Sequence, residues 1–418
     1  MQCINLINLF ESKKGIEMRE ILVNVDEQNN KTIVVVENGK LIEKYQENYG
    51  EERLEGNIYL GKVENVLLGM QAAFVDIGKE KNTFIHIRDI IPKASNETGN
   101  KNEPLNKHNI KNYIKTGMPI LVQIKKDATS KKGARVSTHI NLSGRYAVLM
   151  PNSNFITISK KIEKETEKNR LLKIVKEIVP QNYGIIIRTS AEEKSEEEIK
   201  RDINNLIITW QEIVNKYEKV KKQTTFTPQL IYKNQGIIEK LIIDLIDQDL
   251  SKVIVNEEKT YENIKKVLEK IALETDVKVE LKKEKNILNI YEIQEQLEKA
   301  NNRKIWLKCG GFITIDKTEA LTAIDVNSGK YVGTKDLEKT IFTVNKEATI
   351  EITKQIRLRD IGGIIIIDYI DMENKEDKAK ILEILEENLK KDRSKTQVIG
   401  FTPLDLLEMT RKHMWSND

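Results

Sequence analysis

An α+β multidomain chain is what this sequence predicts, on three observations. Its 418 residues exceed one core, since a domain runs to roughly 100–200 residues. Residues 56–91 are short strand-like segments punctuated by Gly61, Gly69 and Gly78, the pattern of a small antiparallel barrel. Residues 228–418 alternate strand-like and helix-like segments, the pattern of mixed α/β layers. With 39% hydrophobic and 32% charged residues and only 7 Pro, collagenous, disordered and low-complexity chains are excluded. No apolar run reaches the roughly 18 residues of a membrane span. The stretch CINLINLF lacks the basic flank and cleavage site of a signal peptide, so a cytoplasmic location is expected. Two cysteines, Cys3 and Cys309, make neither a disulfide framework nor a four-cysteine zinc site. A formal charge of +4 permits a nucleic-acid partner without demanding one. The clusters Lys125-Lys126, Lys131-Lys132, Lys160-Lys161 and Arg357-Arg359 suit phosphate contacts, and equally a solvated surface.

Along the chain, REILVNVD and KTIVVVE predict strands, and Asn38-Gly39 a hairpin turn into KLIEKY. Met18 opens this pattern and suits a start codon. NIYLGKVENVLL, MQAAFVDIG and NTFIHIRDI supply the barrel, residues 93–118 a polar loop, and PILVQIKKD a closing strand. RYAVLMP, NFITIS and GIIIRTS predict further strands around a helix near 163–178. A charged helix over 192–222 carries the stripe Ile199, Ile203, Leu206, Ile207 and Trp210. FITIDKTEALTAIDVNSG predicts a hairpin. A helix near 336–357 with Leu337, Ile341, Val344, Ala348, Ile352 and Ile356 follows, then the buried strand GGIIIIDYI, a helix over 375–391 and the strand TQVIG.

Several residues suit chemistry. Asp325, predicted to end the strand ALTAID, and Asn327 two residues on share one face about 6.5–7 Å apart. Asp368 ends IIIID, where a carboxylate is costly unless paired or metal-bound. If Asp325 and Asp368 meet, they offer the oxygen ligands Mg²⁺ prefers, able to ionise a water beside a phosphate. Asp371 suits a supporting role and Asp316 a structural one; strand and turn caps remain the alternative for all of them. Phe74 and Phe84 on a barrel surface beside Lys62 would stack bases, or else fill the core. Arg188-Thr189, a guanidinium and a hydroxyl, suit a terminal phosphate, or else an exposed strand end.

Taken together, GNIYLGKVENVLLGMQAAFVDIG, INLSGRYAVLMP, GIIIRTSAE, TEALTAIDVNSG and RLRDIGGIIIIDYIDM resemble the ribonuclease E/G family of bacterial endoribonucleases, over about Met18 to Arg411. The resemblance implies an RNase H-like subdomain (1–53 and 234–300), split by an inserted OB-fold RNA-binding barrel (54–137) and a 5′-sensor region (138–233), with a DNase I-like catalytic subdomain (301–418). It implies Mg²⁺-dependent cleavage of single-stranded RNA, with Mn²⁺ as a substitute, in rRNA and tRNA processing and mRNA decay. Asp325 and Asp368 match the metal-binding aspartates and Asn327 the residue that orients them. Arg188 and Thr189 match the pair that senses a 5′-monophosphate, and Gly144 and Val148 residues that pack on the terminal nucleotide. Phe74, Phe84, Lys126 and Lys132 match positions that channel RNA. One departure stands: no Cys-Pro-x-Cys motif follows Met409-Thr410-Arg411-Lys412. A homodimer is therefore expected, rather than the family's zinc-linked tetramer, and no zinc site. A non-catalytic RNA-binding factor and a DNA nuclease are the rival classes; intact Asp325, Asn327 and Asp368 argue against the first.

Overall fold

A computed structural model of the protein describes residues 18–50, 53–90, 109–128, 132–222, 226–247, 249–271, 275–329 and 337–414. Lys131 and most of the expected 93–118 loop lie outside the described residues. The chain divides into two compact units, one of Met1–Gly50, Gln248–Lys266 and Glu274–Asp418, the other of Glu51–Asp247 and Val267–Leu273.

The first unit holds two mixed sheets. In one, the strands run in the order Lys278–Leu281, Leu250–Val255, Arg19–Val25, Lys31–Glu37, Lys40–Glu47. The last three form an antiparallel meander, and Arg19–Val25 pairs in parallel with Leu250–Val255. Asn38 and Gly39 both take positive φ, 50° and 77°, the turn that matches strand twist. The other sheet runs Lys304–Trp306, Phe312–Lys317, Leu321–Asn327, Gly363–Asp368, Leu406–Arg411, Thr396–Phe401. Its central pair, Leu321–Asn327 with Gly363–Asp368, is parallel. A parallel pair needs a crossover, and the helix Leu337–Leu358 supplies it. Val344, Ala348, Ile352 and Ile356 from that helix bury Ile324, Ile365 and Ile367 of the sheet, and Ile381 and Leu385 of the helix Lys375–Leu389 join them.

Two expectations fail here. The helices cover a single face of this sheet, so GGIIIIDYI is not buried on both sides: Ile364 is 49% exposed. Leu337, expected in the apolar stripe, precedes the first contact with the sheet and is 73% exposed. Nor does the Arg357-Arg359 cluster form a basic surface. Arg357 Nε donates to Glu43 at 2.9 Å, and Arg393 bonds the other oxygen of the same buried carboxylate. Arg359 is occupied by the Gln355 side chain and the Asn302 carbonyl.

The second unit contains a closed barrel of the strands Ile58–Leu67, Ala72–Asp76, Thr83–His86, Arg135–Ser137 and Pro119–Lys126, the first and last of which pair to close it. This is consistent with an OB-fold. Val63, Val75, Ile85, Val122, Ile124 and Val136 fill it. Gly78 turns a corner at φ 77°, where a Cβ would lie 2.7 Å from the Pro228 carbonyl oxygen, so no other residue fits. Three short strands of this unit escape sequence reading, Arg135–Ser137, Leu142–Ser143 and the strand Gln229–Tyr232 added outside Ile58–Leu67. Beside the barrel core, a four-stranded sheet of Ile156–Ile158, Gly184–Ile187, Ala147–Met150 and Leu142–Ser143 packs on the helices Glu165–Ile178 and Glu196–Lys221. The second helix begins at a capping box, Ser195 with Glu198, and its predicted stripe is buried apart from half-buried Ile207.

Burial opposes ionisation of Glu43, yet the Arg393 and Arg357 guanidiniums outweigh it and hold its carboxyl at about 2. A depressed carboxylate contributes stability above its unfolded value, about 4.3, and loses it as pH falls through the folded value. Glu43→Gln, which leaves two partly buried guanidiniums without their carboxylate, is expected to cost about 3–5 kcal/mol at neutral pH. The gap to wild type should narrow between about pH 4.5 and pH 2. Urea titrations across that range check this; a gap independent of pH refutes it.

Candidate active site and nucleic-acid interface

The parallel pairing sets Asp325 directly opposite Asp368. In-register residues of neighbouring strands point to the same side, about 4.8 Å apart. Both lie on the open face and are exposed, while Thr322, Ile324 and Val326 alternate into the core. The strand runs two residues beyond Asp325, to Asn327, so Asp325 sits inside it rather than at its end. Asn327 Nδ2 donates to Asp325 Oδ2 at 2.5 Å, which fixes the carboxylate's rotation. Burial first, then the neighbouring charges of Asp325 and Asp371, raise the Asp368 pKa above the ordinary carboxylate value. Asp316 is spent on a bidentate pair with Arg303, the structural role expected of it.

The chain just past Asp368 is clamped from the crossover helix. Asn345, wholly buried, donates Nδ2 to the Ile370 carbonyl at 2.8 Å and accepts from the Ile370 N–H at 3.2 Å. One turn on, the Thr349 hydroxyl bonds the Tyr369 hydroxyl at 2.9 Å. Sequence reading missed Asn345; a polar residue on the apolar stripe at the spacing of Ile341, Val344 and Ala348 was the available signal.

The donors fit a hard divalent cation. Two carboxylates and an amide are all oxygen-bearing, and the mutual repulsion felt at Asp368 is what such a cation relieves. Among the described residues no group of three or more His, Cys, Asp or Glu is arranged to hold a metal. Mg²⁺, which keeps several waters, is held by one or two carboxylates.

In the second unit, Phe74, Phe84, Arg135 and Lys126 are successive register partners across the barrel. Phe74 and Phe84 stand edge to face at 6.2 Å, and Phe74 is 37% exposed, on the outer face and not in the core. Lys62 shares that face, opposite Asp76 and 3.5 Å from Glu64. Lys126 and Lys132 are exposed. Arg135, which sequence reading missed, continues the row and is held by Asp89 through two bonds of 2.9 and 3.0 Å.

Arg188 donates to the Gly144 carbonyl at 2.9 Å and to Asp244 at 2.6 Å. The Thr189 hydroxyl, exposed, meets Ser159 Oγ at 2.8 Å. Val148 lies on the neighbouring strand, opposite Ile186. Gly144 has its own constraint: a Cβ there would sit 2.6 Å from the Asp202 carboxylate. Asp202 accepts the backbone N–H groups of Arg145, Tyr146 and Ala147.

The model of the Ribonuclease E/G family matches residues 141–414. The chain belongs to the ribonuclease E/G family. It is 38% identical over 394 residues to Ribonuclease G of Salmonella typhimurium and of Escherichia coli K12, covering 94% of this chain and 79% of each relative. It is 35% identical over 367 residues to Ribonuclease E of Nostoc, covering 87% of this chain and 52% of that protein. The chain is an endoribonuclease.

Asn345→Ala orphans the Ile370 N–H and carbonyl, a loss of about 1–3 kcal/mol. It is expected to slow single-turnover RNA cleavage at least about tenfold, leave RNA affinity within about twofold, and lower Tm by several degrees. Calorimetry and single-turnover kinetics check this; wild-type kinetics with lowered Tm would make Asn345 purely structural.

Proposed function

We propose that this endoribonuclease cleaves single-stranded RNA in RNA processing by Mg²⁺-assisted hydrolysis at Asp325 and Asp368, with Mn²⁺ as a substitute, and prefers a 5′-monophosphate. The observation that carries this reading is the register: two carboxylates from strands more than 40 positions apart in sequence stand side by side on an open face, one oriented by Asn327. Asp325 and Asp368 would hold the ion, which when bound supplies a water acidified for attack and positive charge against the scissile phosphate. Asn327 keeps the Asp325 carboxylate in one rotamer, and Asn345 keeps the chain after Asp368 in place, so the two donors stay at a fixed separation. Asp371 adds negative potential that favours the ion further. The products are a 5′-phosphate and a 3′-hydroxyl.

The row Phe74, Phe84, Arg135 and Lys126, with Lys62 and Lys132, supports the barrel as a single-strand binder, since aromatic faces take bases while cations follow the backbone. Arg188 and Thr189, with Gly144 and Val148 beside them, are the proposed 5′-phosphate site; a guanidinium and a hydroxyl suit a terminal phosphate. Asp244 would have to share Arg188 with that phosphate. The sheet of residues 19–47 and 250–281, a meander extended by two parallel strands, supports an RNase H-like assignment for 1–53 and 234–300. The open mixed sheet supports a DNase I-like assignment for 301–418.

Asp325→Asn is expected to reduce cleavage of a fluorescent single-stranded oligoribonucleotide at least about 10³-fold while leaving its affinity near wild type, and EDTA should do the same to the wild-type enzyme. Wild-type rates in that variant or in EDTA sink the assignment. Arg188→Gln should abolish the rate advantage of a 5′-monophosphate over a 5′-hydroxyl. An equal loss on both substrates would instead indicate damage to the fold around Asp244.

A further inference from the structure

The open face that carries the two aspartates also carries an aromatic pair that the reaction as described does not use. Trp306 is 57% exposed, on the edge strand Lys304–Trp306. It is the register partner of Phe312, which is in turn the partner of Asn327. The next row along the same face is Lys304, Thr314, Asp325 and Asp368. The Trp306 and Phe312 rings stand 5.3 Å apart, tilted at 61°. Lys304 Nζ lies 4.2 Å from the Trp306 centroid and 3.6 Å from that of Phe312. Two strand spacings across and two residues along separate Trp306 from Asp325 by roughly 12 Å, the reach of one or two nucleotides.

We propose that Trp306 and Phe312 form a stacking platform for a nucleobase flanking the scissile bond, with Lys304 contacting an adjacent phosphate, so that the platform sets where along the strand the phosphodiester meets Asp325 and Asp368. The inference rests on the active-site assignment above. Indole is a large, rigid surface for a base. An exposed tryptophan on a sheet edge is otherwise a liability for association. The charge beside it selects the occupant: an ammonium between two rings matches a phosphate backbone with stacked bases. The platform is sequence-tolerant, since every base has a π-face, and it acts on register along the strand rather than on base identity.

The test uses the full chain and a 5′-monophosphorylated fluorescent oligoribonucleotide with one mapped cut. Further versions carry an abasic nucleotide at each position flanking that cut. Trp306→Ala is expected to raise KM roughly 5- to 100-fold, with kcat changed much less. Trp306→Phe, which keeps a π-face, should recover most of the loss. At one flanking position the abasic substitution should cost the wild type about the same factor and cost Trp306→Ala nothing further, the non-additivity of a direct contact. A wild-type KM in Trp306→Ala, or equal sensitivity of both enzymes to every abasic position, overturns the platform. So does a lowered solution mass with KM untouched, which would give the face to a second copy of the chain. If Asp325→Asn cuts like wild type, the metal-site reading fails instead. The platform is then judged by RNA binding in EDTA, measured by anisotropy, where Trp306→Ala must still weaken affinity and an unchanged affinity refutes it.

Discussion

Two like charges held side by side are the constraint around which the first unit is built. Asp325 and Asp368 meet because Leu321–Asn327 and Gly363–Asp368 pair in parallel with no offset. Parallel neighbours cannot be joined by a tight turn, so the helix Leu337–Leu358 has to cross between them, and its apolar stripe then covers one face of the sheet. A one-residue slip of either strand would turn its own carboxylate into that core and part the pair. The buried isoleucines at positions 324, 365 and 367 therefore fix the register, and the register fixes the chemistry. The repulsion left between the acids is offset by the packing beneath them, and it makes the pair a good host for a divalent cation.

The same logic appears with opposite charge in the barrel. There, consecutive register partners present Phe74, Phe84, Arg135 and Lys126 on one outer row, while the alternate positions Val75, Ile85, Val136 and Ile124 fill the interior. Strand periodicity of two sorts each segment into an inward apolar set and an outward reactive set. A sheet with one covered face can therefore display a working surface without exposing its core, and the tryptophan row beside the aspartates is a third instance.

Salt links set the limits of tolerance. Glu43 is held by Arg357 and Arg393, and buried Arg411 by Asp360 and Asp392. Such groups cost far more when one partner is removed than they contribute as pairs. The Glu43 links tie the sheet of residues 19–47 to the helix Leu337–Leu358 and to Arg393 within one unit, and they turn a stretch that looks like a basic patch in the sequence into interior structure.

The longer strands and helices in their order, the Asn38-Gly39 hairpin, the closing barrel strand and the residue types able to carry metal and phosphate chemistry were determined by sequence alone, because periodicity and turn chemistry are local. What only the tertiary structure decided was proximity. That Asp325 faces Asp368 depends on a strand pairing across 42 intervening residues, and no local signal encodes a partner. The same holds for Arg135, whose three-residue strand is too short to show periodicity, and for Asn345, whose purpose is visible only once the Ile370 backbone lies against it. The open face of GGIIIIDYI was illegible for a related reason: an apolar run states that it can be buried, and the count of covering helices decides on which sides it is.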